Sequence, residues 1–117
     1  MTPAKVAFHN TKRAIQHLGK RGYTAANVEK WNHFAKVKND LFGFADIIGF
    51  SAHDVILVQT TSKSNMSARK KKIAANPIAE KWLKAGHNIE IQGWYKVSRY
   101  WQVKIETITR TDLYWGN

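Results

Sequence analysis

The sequence predicts an α/β domain: one mixed β-sheet with flanking helices, in the order α-β-β-β-α-α-β-β, as a single domain over residues 1–117. Three observations predict it. Helix-period segments bracket the first half of the chain, at 4–18 and 64–85. Val55-Ile56-Leu57-Val58 is apolar on both faces, as a strand covered on both sides must be. Residues 88–97 and 100–108 alternate with the period of strands.

Thr2-Pro3 is a helix start, with a hydroxyl before a first-turn proline. Ala7, Ala14, Ile15 and Leu18 then fall near one stripe, and Gly19 to Gly22 stop the helix. This helix holds no acid. Lys12 and Arg13 lie off the apolar stripe, where they can face phosphates or simply water. Residues 23–31 read as a first strand, Asn32-His33 as a turn, and Phe34 to Lys38 as extended. Residues 45–50 form the second strand and 55–58 the third. Residues 64–75 read as a helix with Met66, Ile73 and Ala74 inward. Asn76-Pro77 caps and starts another helix with a stripe of Ile78, Trp82 and Leu83, and Gly86 ends it. Residues 88–97 and 100–108 form a hairpin turned by Ser98-Arg99, with Ile89, Ile91, Tyr95 and Val97 on one side. Trp94 and Tyr100, on the outward register, can stack on bases. The tail can pack Leu113 or Trp115.

The charge narrows the partner. There are 19 Lys+Arg against 8 Asp+Glu, a net +11 spread through the folded-looking segments. That balance favours nucleic acid, because lysine and arginine release counterions from phosphates. Absence of cysteine excludes disulfides, zinc-thiolate sites and thiol nucleophiles. The five histidines lack metal-ligand spacing. No apolar run is long enough to span a bilayer, so no membrane role is expected, and a cytoplasmic location is.

The chemistry concentrates at residues 38–63. If Ser51 to Asp54 is a tight hairpin link, the strands pair so that Asp46 lies opposite Gln59. Their side chains then share a face about 5 Å apart at Cβ. Thr61 lies two residues on, on the same face. Mg²⁺ or Mn²⁺ takes hard oxygens: the Asp46 carboxylate, the Gln59 side-chain carbonyl and the Thr60 backbone carbonyl. The plain alternative is that Asp46 hydrogen-bonds at a strand end and Gln59-Thr60-Thr61-Ser62 is a polar strand exit. Arg69, Lys70, Lys71 and Lys72 follow directly. Four in a row sample every side of a helix, so at least one should face phosphate beside the site.

The ADIIGF at 45–50 and the ILVQTTS at 56–62 resemble the two metal-binding strands of the PD-(D/E)xK nuclease superfamily, which includes restriction endonucleases and archaeal Holliday-junction resolvases. VEKWNHFAKVKNDLFGFADIIGF, VQTTSKSNMSARKKKI and NPIAEKWLKAG resemble a group of small phage and bacterial proteins placed in that superfamily. The resemblance covers most of the chain. It implies a restriction-endonuclease-like core and a metal-dependent endonuclease acting on DNA, selective for branched structures, with a homodimer as the common assembly. By position it makes Asp46 the metal carboxylate and puts Gln59 where the second acid usually sits. Thr61 falls where the catalytic lysine is expected, so Lys63 or Lys38 would have to reach the site. The first helix lacks the acid that many members place there, and Glu29 or Asp40 would substitute. A non-catalytic basic nucleic-acid-binding protein on the same fold is the alternative reading.

Overall fold

The computed structural model describes residues 3–113, with side chains from residue 9 on. The elements are α1 (Pro3–Lys20), β1 (Thr24–Asn27), β2 (Lys30–Asn32), β3 (Val37–Asn39), β4 (Ile47–Phe50), β5 (Val55–Ser62), α2 (Met66–Ala74), α3 (Pro77–Lys84), β6 (Asn88–Val97) and β7 (Tyr100–Ile108). Five strands form one mixed sheet in the order β1-β4-β5-β6-β7. β5 and β6 pair in parallel, and the other neighbours are antiparallel. The parallel pair needs a crossover, and α2 with α3 supplies it.

Central strand β5 explains the layering. Its side chains alternate between two covered faces. Leu57 joins Met66, Ile73, Ala79, Ile89, Ile91, Ile108 and Leu113 in the core under α2 and α3. Ile56 and Val58 join Ala14, Leu18, Ile47 and Trp94 in the core under α1. Leu57 is wholly buried, so Leu57→Ala would cost about 2–5 kcal/mol. Close approach fixes one glycine. A Cβ at Gly93 would collide with the Met66 sulfur, so Gly93 lets the start of α2 settle onto β6.

The α/β architecture is as expected, with one addition. The segment expected as a single first strand divides at Val28-Glu29, and β2 and β3 form a separate two-stranded sheet. The Asn27 side chain accepts from the Glu29 amide at 2.8 Å, which turns the chain out of the main sheet. Smaller differences follow from packing. Ile78 is exposed while Ala79 takes the buried position on α3. Trp94 is buried beneath α1, because that face of β6 is covered as well, so it is no stacking platform. Tyr100 is exposed. The Asn76 cap is present, its side chain accepting from the Ile78 amide at 2.9 Å. Leu113 packs into the core, whereas Thr2 and Trp115 lie outside the described residues. No described helix is long and apolar enough to cross a membrane.

Candidate functional site

The hairpin of β4 and β5 sets the geometry. Ser51 and Asp54 close it: the Ser51 amide donates to the Asp54 carbonyl at 2.9 Å, and the Ser51 hydroxyl donates to the Asp54 carboxylate at 2.7 Å. The register is Ile47↔Val58 through Phe50↔Val55, and one step further along it Asp46 faces Gln59. The Gln59 amide donates to Asp46 Oδ2 at 2.9 Å. The same oxygen accepts from the Thr60 amide at 2.8 Å and the Thr60 hydroxyl at 2.9 Å. Asp46 precedes the first residue of β4, so its carboxylate reaches past the strand end and meets both side chains.

Two neighbouring segments bring further acids to Asp46. β1 pairs with β4, and the Val28 amide extends that ladder to the Asp46 carbonyl at 2.9 Å. The chain departs there, with Glu29 beside Asp46. On the other side, Leu41 and Ala45 form an isolated antiparallel bridge. Phe42 and Gly43 take left-handed conformations, with φ of 57° and 85°, and close that loop tightly. One step further along the same pairing, Asp40 faces Asp46. Carboxylate oxygens of Glu29, Asp40 and Asp46 all lie within 4.8 Å of one another.

Like charges at this spacing raise proton affinity. The Asp46 carboxyl is pushed up to about 8, chiefly by burial, then by its hydrogen bond and charge contact with Asp40. The Thr60 amide opposes this shift, and Glu29 adds to it. Burial also raises Glu29, against the pull of Lys38. A divalent ion at this cluster would compete with the raised proton affinity of Asp46 and Glu29.

The donor set fits such an ion. Three carboxylates suit a hard cation. Gln59 adds a second observation: its Oε1 is buried without a hydrogen-bond partner. Both amide hydrogens are occupied, by Asp46 and by the Thr60 carbonyl at 3.2 Å. The orphaned oxygen is thus an acceptor held in place. Thr60 differs from its expected part. Its carbonyl is engaged by Gln59, and its amide and hydroxyl orient Asp46 instead.

The cluster opens into a cleft of about 610 Å³. Asn10, Thr11, Glu29, Lys38, Asp40 and Asp46 line one part of it, and Gln59 to Ser62, Asn65, Arg69 and Lys72 line the rest. Thr61 is in this wall, as are three cations. Lys63 is not. Its ammonium sits 4.4 Å over the Tyr95 ring, because the chain turns into a 3-10 segment at Lys63–Asn65.

The basic run divides by helical angle. Arg69 and Lys72, three residues apart, face the cleft. Lys70 turns to β7 and binds Glu106 at 2.8 Å and Asp112 at 3.4 Å. Lys71 is exposed outside the cleft wall, as is Lys12. Arg13 lies in a second cleft, 3.8 Å over the Trp101 ring.

Sequence reasoning missed Asn10 and Thr11. Both are buried polar residues on α1, and two adjacent amide and hydroxyl side chains facing inward were the available signal.

The chain matches no family model, and no curated protein matches it in sequence. Among solved structures it is similar to Hjc, a Holliday junction resolvase of the archaeal hyperthermophile Archaeoglobus fulgidus. The two share 12% identity at a TM-score of 0.52, over 83% of this chain and 74% of that one. At that identity the likeness speaks for the fold alone, and the fold is the restriction-endonuclease-like α/β core of this resolvase.

Proposed function

We propose that the protein is a metal-dependent endonuclease that cleaves DNA phosphodiester bonds, with branched DNA as its preferred substrate. One observation carries this reading. The chain has only 8 acids against 19 basic residues, yet three of those acids, from three separate segments, converge in a cleft lined by cations. A basic protein that gathers its scarce carboxylates beside Lys38, Arg69 and Lys72 can hold a divalent cation and a polyanion together. The likeness to a Holliday junction resolvase supports the choice of branched DNA.

Asp46, Asp40, Glu29 and the free Oε1 of Gln59 would hold Mg²⁺ or Mn²⁺. When bound, the ion supplies Lewis acidity toward a phosphate oxygen and toward an attacking water. The remaining work falls to the chain itself. The Thr60 amide and hydroxyl fix the Asp46 carboxylate in one orientation. Arg69 and Lys72 face a strand backbone from α2 and neutralise its phosphates. Lys38 approaches from β3, beside Glu29 and Asp40. Among the described residues it and Lys72 are the lysines of the cleft wall, so either can supply the charge that Thr61 cannot.

The test is incubation of the pure protein with branched, single-stranded and duplex DNA plus Mg²⁺ or Mn²⁺. Cleavage of the branched substrate, lost in Asp46→Ala, is expected. Failure to cut any substrate, or cutting unchanged by Asp46→Ala, would refute the proposal. Two copies would suit paired cuts, and sedimentation of the protein with and without a junction reads that assembly.

Thr61 favours a second reading, a non-catalytic DNA-binding protein on the same fold, because a neutral hydroxyl occupies the wall where a lysine is expected. That reading requires salt-sensitive DNA binding that survives both chelation and Asp46→Ala.

A further inference from the structure

The small sheet of β2 and β3 serves no visible purpose in the core. Its register is Lys30↔Asn39, Trp31↔Lys38 and Asn32↔Val37. Its tip is ordered by its own side chain: Asn32 Oδ1 accepts from the amides of Phe34 and Ala35, each at 3.0 Å. Lys36 completes the turn in a left-handed conformation, with φ of 54°. A preorganised tip presents whatever it carries at low entropic cost.

What it carries is aromatic and basic. Phe34 is 100% exposed and Trp31 51% exposed, beside an exposed Val37. Exposed rings on a short hairpin outside the core invite association. From 30 to 39 the sequence is KWNHFAKVKN, with Lys30, Lys36 and Lys38 and no acid. The charge therefore selects a polyanion, and the rings select something with flat apolar faces. Unpaired nucleobases on a phosphate backbone meet both demands.

Position ties the hairpin to the cleft. Glu29 enters it and Asp40 leaves it, so two of the three clustered acids stand at its base. Trp31 is paired with Lys38, which puts the two side chains on one face of the hairpin. Lys38 lines the cleft. Trp31 thus shares its face of the hairpin with a lysine of the cleft wall.

We propose that residues 30–39 form a stacking finger for unpaired bases. Phe34 and Trp31 take up bases exposed at a branch, gap or single-stranded arm. Lys30, Lys36 and Lys38 hold the flanking phosphates. The strand is thereby delivered to Asp46 at the finger's base. This inference rests on the nuclease reading for its purpose, and its binding step stands apart from cleavage.

The test is binding of a junction and of a fully paired duplex of equal length, in EDTA, by the wild type, Phe34→Ala, Trp31→Ala and the double variant. Asp46→Ala is measured in parallel, so that loss of cleavage and loss of selectivity are read separately. A 2-aminopurine at the branch reports stacking. Each ring's removal is expected to weaken junction binding roughly 5- to 100-fold. Duplex binding should change less than about threefold, and the 2-aminopurine quench should disappear. Phe34→Trp should restore both signals. An unchanged melting temperature confirms that the variants fold. Equal loss on duplex and junction, no loss on either, or a wild-type self-association abolished by Phe34→Ala without DNA would each overturn the finger. Junction selectivity in a protein that cuts nothing would sustain the finger and refute the nuclease.

Discussion

Two buried acids, Asp46 and Glu90, sit in the same sheet under opposite fates. Glu90 lies on β6 beneath α1, 2% exposed, and Arg21 grips both its oxygens at 2.8 and 2.9 Å. Gln92 donates to it at 2.8 Å. Asp46 is as deeply placed, yet its surroundings are amide and hydroxyl donors and two more carboxyls. The first charge is neutralised by a cation the chain provides. The second is left to a proton, or to an ion from outside. A buried acid beside a fixed guanidinium belongs to the architecture, whereas one beside other acids in an open cleft is poised for chemistry.

The strongest way to break this contrast is to neutralise each acid in turn. Asp46→Asn keeps the shape and an acceptor for Thr60 but removes the ionisable group. Cleavage should fall on the order of 10³-fold or more, with melting temperature unchanged or raised. Glu90→Gln should do the reverse. It strands the Arg21 charge, which is partly solvated, and should cost about 2–3 kcal/mol, with per-molecule cleavage by the folded fraction nearly intact. Activity assays paired with thermal melts check both. Loss of stability in Asp46→Asn, or loss of chemistry in Glu90→Gln, would erase the distinction.

A pH series sharpens it. Asp46 has an ordinary value of 3.8 and is pushed up to about 8 in the fold. The folded chain then binds this proton more tightly than the unfolded chain does. Its contribution to stability is fully present below about pH 4 and is lost as pH rises toward 8. Glu29, raised by burial, adds in the same sense. In EDTA the melting temperature should drop by several degrees between pH 5 and pH 8. Mg²⁺ or Mn²⁺ should restore it most at the alkaline end, where fewer protons compete. His17, lowered by burial from its ordinary 6.5, works in the opposite direction as pH falls below 6.5. The difference between wild type and Asp46→Asn therefore isolates the cluster. A flat difference would mean that the fold does not raise the Asp46 carboxyl.

Legibility in the sequence follows the same divide. The pairing of Asp46 with Gln59 was readable because a short link, locked by Ser51 and Asp54, fixes the register of two apolar strands. The covered faces of β5 were readable because Val55 to Val58 has no polar side. Glu29 and Asp40 entered only as substitutes for a missing helix acid. Their convergence depends on the chain leaving the sheet after Asn27 and on left-handed backbone at Phe42 and Gly43. Neither event has a periodic signature. Phe42 is a poor advertisement for such a conformation, because a bulky residue with positive φ is uncommon. β2 and β3 were hidden for a related reason: three-residue strands outside the core carry no apolar alternation to read. The place of Lys63 was not legible because it depends on Tyr95, which a parallel crossover brings alongside.

The smallest expected effects come from the cations, and they test the division within α2. Arg69 and Lys72 face the cleft, while Lys70 is held by Glu106 and Asp112 on the far side of the helix. Arg69→Ala and Lys72→Ala should each weaken DNA binding a few-fold and reduce the salt slope by about one. Lys70→Ala should leave both nearly unchanged. Its partly solvated ion pair is worth roughly 0–1 kcal/mol, so the melting temperature should move only slightly. Titrations of labelled junction DNA at several salt concentrations separate the three variants. If Lys70→Ala matched its neighbours, the run at 69–72 would be a diffuse basic surface. The comparison would then narrow to the acids alone. If Arg69 and Lys72 stand apart, one turn of helix already sorts its charges as the sheet sorts Asp46 and Glu90: one set closed by partners in the chain, the other left open to a ligand.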